Sequence, residues 1–160
     1  MRITIAAIGK LKAGPDRELH ERYMSRISSA GRSTGFTAVE LIELPESRAS
    51  ASLARKTDEA SRLLARTEKA GIRILLDERG KALTSQQFAA EIGRLRDAGD
   101  GEIAFLLGGP DGHADVARSH CRLALSLGPM TLPHGLARIV LAEQIYRAIT
   151  ILSGHPYHRD

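Results

Sequence analysis

Short apolar runs alternate along this chain with longer segments of helical period, and this alternation constrains the fold more than any other feature. In the run 2–8, Ile3, Ile5 and Ala7 share one parity, the mark of a strand. Gly14-Pro15-Asp16 opens a segment in which Leu19, Tyr23 and Ile27 recur four apart, as one helix face requires. Val39, Leu41, Ile42 and Leu44 read as a second strand closed by Pro45. Residues 49–70 read as a charged amphipathic helix ended by Gly71, and Ile72 to Leu76 as a short buried parallel strand. Asp77 to Lys81 reads as a turn. Thr84 with Gln87 has the spacing of a capping box ahead of Phe88, Ile92 and Leu95. Glu102 to Leu107 is another strand, Ala114 to Arg122 a short helix, and Leu123 to Leu127 a further apolar segment. Strands separated by helices form βαβ units, so the expected fold is α/β, with a mostly parallel sheet flanked by helices.

The helical pattern from Leu136 to Leu152 is apolar on most sides. A helix of that kind is covered on more than one side. In a chain of 160 residues, read as a single domain over 1–160, the second cover is expected to be another copy, giving a homodimer.

Composition excludes several classes. No window approaches the length of a membrane span, and the N-terminus runs straight into a strand without the apolar core of a signal peptide. One cysteine, Cys121, cannot close an internal disulfide, which fits a cytoplasmic location. The net charge of +4 suits an acidic partner such as nucleic acid. With no Trp and six Phe or Tyr, a broad stacking platform for single strands is not expected.

The motifs carry different weights. Gly108-Gly109-Pro110-Asp111-Gly112 follows a strand and precedes a helix, so it reads either as a plain tight turn or as a nucleotide-holding bend. It has neither the GxGxxG spacing nor the Lys-Ser or Lys-Thr of a P-loop. Five of the six histidines lie between His113 and His158, yet no CxxC or HExxH spacing supports a metal. No GxSxG surrounds Ser85 or Ser126. Arg138, Glu143 and Arg147 read either as a polar stripe with an i,i+4 pair or as a face turned to a ligand or a partner. The tail His155-Pro156-Tyr157-His158-Arg159 reads as a frayed terminus, or as a set able to position a nucleotide through a ring, an imidazole and a guanidinium.

Taken in order, these segments resemble the ribosomal RNA large subunit methyltransferase H (RlmH) family. The resemblance is carried by Ile5-Ala6-Ala7-Ile8-Gly9-Lys10-Leu11-Lys12, Leu75-Leu76-Asp77, Phe105 to Gly112, Met130-Thr131-Leu132-Pro133-His134, Ala142-Glu143-Gln144-Ile145-Tyr146-Arg147-Ala148 and Tyr157-His158-Arg159. It covers essentially the whole chain. It implies a SPOUT-class α/β fold with a C-terminal trefoil knot, which nothing in the periodicity reveals. It also implies a homodimer that uses S-adenosylmethionine to methylate N3 of a pseudouridine in 23S ribosomal RNA, in assembled ribosomes, without a metal or a membrane. The implied cofactor contacts fall on Leu76, on Gly108, and on Leu127, Gly128, Pro129, Met130, Thr131 and Leu132.

Methylation at N3 requires loss of a proton. His158, Tyr157 and His155 are candidate bases, and a basic site that includes Arg159 could instead stabilise the N3 anion. Two rivals from other classes are an RNA-binding protein without catalysis and a nucleotide-binding regulator using the glycine turn. Binding of S-adenosylmethionine separates the enzyme from both.

Overall fold

The computed structural model describes residues 1–158. Strands β1 (Arg2–Ile8), β2 (Ala38–Leu44), β3 (Ile72–Ala82), β4 (Glu102–Leu107) and β5 (Leu123–Ser126) form one sheet in the order β2-β1-β4-β3-β5. Every pairing between them is parallel. Helices α1 (Pro15–Gly31), α2 (Ser52–Arg66), α3 (Ser85–Asp97), α4 (Asp115–Ser119) and α5 (His134–Ser153) supply the connections that parallel strands need.

Both faces of the sheet are covered. Ile3, Ile5, Ile74, Ile103 and Phe105 join α1, α3 and α5 in one core cluster. Ala6, Ile8, Leu75, Ala104 and Leu106 pack with α2 and α4 in a second. Strand β1 is therefore buried at successive positions rather than at alternate ones, as a doubly covered parallel strand must be. Each fully buried Ile or Leu contributes about 1.5–3 kcal/mol of transfer free energy.

The capping box is present in full. Thr84 Oγ1 accepts from the Gln87 amide at 3.1 Å, and Gln87 Oε1 accepts from the Thr84 amide at 3.0 Å. Strand β3 runs past the expected turn. Lys81 and Ala82 rejoin the ladder opposite Leu125 and Ser126, while residues 77–80 loop out between two stretches of pairing. The charged, glycine-containing segment 77–81 had the composition of a turn, and pairing with β5 draws its end back into the sheet. Helix α4 is shorter than its apolar pattern suggests, because strand pairing begins again at Leu123.

Helix α5 lies on the sheet against α1 and α3. Leu141, Ala142, Ile145, Ala148 and Ile149 are buried in the chain itself, while Leu136 remains 44% exposed. No helix among the described residues is long and apolar enough to cross a membrane.

Candidate functional site

A cavity of about 620 Å³ opens at the carboxyl ends of β3, β4 and β5, beside the first turn of α5. Open α/β sheets bind ligands at this edge, where loops diverge from rigid strands. The cavity is lined by Leu76 at the point where β3 departs from its ladder, by the glycine turn 108–112, and by the loop that joins β5 to α5. Of the residues singled out for cofactor contact, Leu76, Gly108, Leu127, Gly128, Met130, Thr131 and Leu132 are brought to this one wall; Pro129 lies in the same loop, exposed. Met130 is 79% exposed, so its side chain stands at the mouth rather than the floor.

Local geometry explains the bends. Gly128 has φ +128°, a region that side chains disfavour, and Ser126 clasps it: Ser126 Oγ accepts from the Gly128 amide at 3.1 Å and donates to its carbonyl at 3.0 Å. At Gly108 the constraint is close approach. A Cβ there would meet Gly112 O and His113 Cε1 at 3.1 Å each. The missing side chain thus makes room for the chain's own turn, not only for a ligand.

Asp111 fastens the glycine turn to the start of α2. Arg55 grips its carboxylate with two N–H groups, at 2.7 and 3.1 Å, and Ser52 Oγ donates at 3.0 Å. The Arg55 hydrogen bond, then that of Ser52, holds the Asp111 carboxyl below the usual carboxylate range. On the opposite rim Asp77 pairs with Arg118 of α4, and its Oδ1 accepts the Arg79 amide at 2.8 Å. His113 reaches across between β3 and β4, with Nε2 3.1 Å from the Gly108 nitrogen and 3.0 Å from the Leu76 oxygen. Burial pushes its pKa below the ordinary imidazole value.

Arg138 does not share a stripe with Glu143 and Arg147. Five residues along a helix turn a side chain by about 140°, and Arg138 points inward. It is 2% exposed, bonds Glu43 Oε1 at 2.6 Å, and donates to the carbonyls of Ile8 and Gly9 at 3.4 and 3.1 Å. Glu43 also accepts from the Leu11 amide at 2.7 Å and from Arg17 at 3.2 Å. Burial works to raise the Glu43 pKa, but the Leu11 and Arg17 hydrogen bonds and the Arg138 charge outweigh it and leave the carboxyl below its ordinary value. The same buried cluster pushes His20 down to about 4, through burial first and the Arg138 charge second. Arg138 thus ties the start of α5 to the ends of β1 and β2.

Glu143 and Arg147 do form the i,i+4 pair, at 2.6 Å. The tail folds back on them. Tyr157 Oη donates to Glu143 Oε1 at 3.2 Å, its ring meets Tyr146 edge-on at 4.7 Å, and the Arg147 guanidinium lies 5.1 Å from the ring centre. Burial, then hydrogen bonding and the Glu143 charge, push the phenol up to about 12, so Tyr157 is a donor rather than a base. His155 Nδ1 accepts the Tyr157 amide at 3.1 Å. Its neutral ring then carries the proton on Nε2 and has no free lone pair. His158 lies in the same tail, and Arg159 lies outside the described residues.

None of His155, Tyr157 and His158 lines the cavity of its own chain. Glu143, the anchor of Tyr157, lies six residues beyond Ala137, the α5 residue at the cavity wall, and so about 9 Å further along and on another side of the helix. Sequence reasoning missed Asp111, Arg55 and His113 as shapers of the site. Of these, Asp111 alone had a signal, an acid inside a glycine turn.

Comparison with known proteins gives a consistent picture. A family model described as "Predicted SPOUT methyltransferase" matches residues 1–158. A protein of Brucella anthropi named ribosomal RNA large subunit methyltransferase H is 50% identical over the full length of both chains. A protein of the same name from a Chelativorans species is 49% identical, over all of this chain and 92% of the other. Among solved structures, a probable methylase family protein from Haemophilus influenzae is similar in fold, with a TM-score of 0.54 and 15% identity over 99% of this chain and 70% of that one.

Proposed function

This chain belongs to the SPOUT methyltransferase family, and from that premise we propose that it transfers a methyl group from S-adenosylmethionine to 23S ribosomal RNA, at N3 of a pseudouridine, on assembled ribosomes. The observation that carries the reading is the cavity of about 620 Å³ walled by Leu76, Gly108 and residues 127–132. Its volume suits a nucleoside-sized ligand. Its wall is built largely from strand ends, a glycine turn and an apolar loop, so main-chain donors and acceptors are available to read a purine edge. The names of the two relatives support ribosomal RNA as the acceptor.

S-adenosylmethionine supplies the electrophilic methyl on its sulfonium. The rest of the task falls to this chain: hold the donor, place N3 in line with it, keep water out, and deal with the N3 proton. Positioning of that kind is worth up to about 7–11 kcal/mol in the best cases. The loop 127–132 and Gly108 hold the donor, and Arg138 ties the helix that follows the loop to β1 and β2.

Within the tail, Tyr157 is committed as a donor to Glu143 and His155 as an acceptor from the main chain. His158 as the base, or an N3 anion stabilised by Arg159, is the route proposed for the N3 proton. Because His155, Tyr157 and His158 stand away from the cavity of their own chain, a second copy seated on the exposed side of α5 is the partner that brings a tail to the donor. The trefoil threading and the homodimer belong to the same proposal.

The test is transfer of labelled methyl from S-adenosylmethionine to whole ribosomes, isolated large subunits and free 23S RNA, with the product nucleoside identified by mass spectrometry. Methyl on N3 of a pseudouridine in ribosomes is the expected result. Label on another base, or none in any substrate despite donor binding, overturns it.

A further inference from the structure

Every tyrosine of the chain sits in one cluster. The sequence has three, Tyr23, Tyr146 and Tyr157. Their rings form a row across three segments: Tyr23 of α1 lies 6.3 Å from Tyr146 of α5, and Tyr146 lies 4.7 Å from Tyr157 of the tail, centre to centre. Two guanidiniums flank the row. Arg26 lies 5.7 Å from the ring centres of both Tyr23 and Tyr146, and Arg147 lies 5.1 Å from that of Tyr157. Tilted and edge-on ring pairs attract, and so do cations held against ring faces.

The tail reaches this row by a sharp reversal. Gly154, at φ +66°, ends α5 in the left-handed conformation, and the His155 amide donates back to the Thr150 carbonyl at 2.9 Å. Tyr157 then comes to rest on α5 with its hydroxyl on Glu143. Glu143 is braced in turn: its Oε2 takes Gln144 Nε2 at 2.6 Å, and the Gln144 amide oxygen accepts from Ser85 of α3 at 2.8 Å. Hydrogen bonding with Tyr23 stands second only to burial among the causes that push the Tyr157 phenol up. A terminal segment is poorly ordered unless something ties it down. Here α1 and α5 both hold it, through a ring on each.

We propose that Tyr23, seconded by Arg26, is a positioning residue for methyl transfer: it fixes α5's Tyr146 and the tail's Tyr157 in one row, and so sets where His158, the next residue, stands. This rests on the reading that the tail serves the transfer step. Tyr23 is not among the residues that line the cavity, so it acts on the donor site only through the tail. A misplacement of about 1 Å can cost about a hundredfold in rate, so a residue far from the chemistry can govern turnover without touching the donor.

The experiment compares wild type, Tyr23→Leu, Tyr23→Phe and Arg26→Gln. Methyl transfer to ribosomes gives kcat and KM, calorimetry gives donor affinity, and NMR of ring-labelled tyrosine reports the cluster and nothing else. Tyr23→Leu should lower kcat at least about tenfold, leave donor affinity unchanged, and move the Tyr157 ring signals toward those of free tyrosine. Tyr23→Phe keeps the ring and should recover most of the turnover. Arg26 is exposed, and Arg26→Gln should lower kcat about threefold with the same displacement of Tyr157, which decides the matter should Tyr23→Leu fail to fold. Full turnover in Tyr23→Leu and Arg26→Gln, or Tyr157 signals that stay in place, overturns the inference and leaves the methyltransferase reading standing. A fall in donor affinity that accounts for the lost turnover also overturns it, since the effect is then a general loss of structure. Wild type that binds the donor but methylates no substrate removes the methyltransferase reading, and the positioning role with it.

Discussion

Replacing Arg138 with methionine removes the one cation that reaches Glu43 from α5. The variant loses the 2.6 Å ion pair and the two contacts to Ile8 and Gly9 carbonyls, and leaves a largely buried carboxylate short of a partner. Breaking a buried pair from one side costs about 3–5 kcal/mol. The lower end applies, because the Leu11 amide and Arg17 remain on Glu43. A loss of about 3 kcal/mol lowers the melting temperature of a chain this size by roughly 6–12 °C. The assay is urea unfolding of wild type, R138M, E43Q and the double variant. R138M should lose about 3 kcal/mol and the double variant should regain at least about 1 kcal/mol, since the stranded charge is then gone. An R138M protein within about 1 kcal/mol of wild type, or strict additivity in the cycle, refutes the view that Arg138 clamps α5 to the strand ends.

Acid should weaken the fold through His20. Its pKa falls from 6.5 unfolded to about 4 folded, so the unfolded chain binds the extra proton between those values and stability drops as pH falls through that window. The full effect is about 3 kcal/mol, read from denaturation midpoints at pH 7 and pH 4, and His20→Gln should flatten it. Glu43, depressed below its ordinary value, adds a further loss only below about pH 4.5. Gly108→Val should weaken donor binding by more than about tenfold while the chain still folds, because the added carbons press on Gly112 and His113 at the cavity wall; unchanged affinity by calorimetry would count against that wall. Deleting residues 155–160 should abolish methylation and spare donor binding, and full turnover in the truncated enzyme would remove the tail from the mechanism.

What the sequence made legible was local. The capping box at Thr84 and Gln87, the helical period of α5, the Glu143–Arg147 pair and the alternation of strand and helix all depend on residues a few positions apart. What it hid depends on distance along the chain. Arg138 meets Glu43, 95 residues away, a contact that no local pattern displays, so grouping it with Glu143 and Arg147 in one polar stripe missed a buried clamp. His113 meets Leu76, 37 residues away, and in isolation is one more histidine in a histidine-rich third. The segment 77–81 departs from its turn composition for the same reason: pairing with β5 draws Lys81 back into the sheet. The tail's residues were visible, while the separation of His155, Tyr157 and His158 from the cavity of their own chain is a property of the fold.

The cavity at the carboxyl ends of β3, β4 and β5 is the proposed seat of the methyl donor. A crystal structure of the protein with S-adenosylmethionine tests this most directly. The expected result is the donor seated against Leu76 and Gly108, with the loop 127–132 closed over the ligand; a donor bound at any other surface, or a cavity that stays empty at saturating ligand, contradicts it.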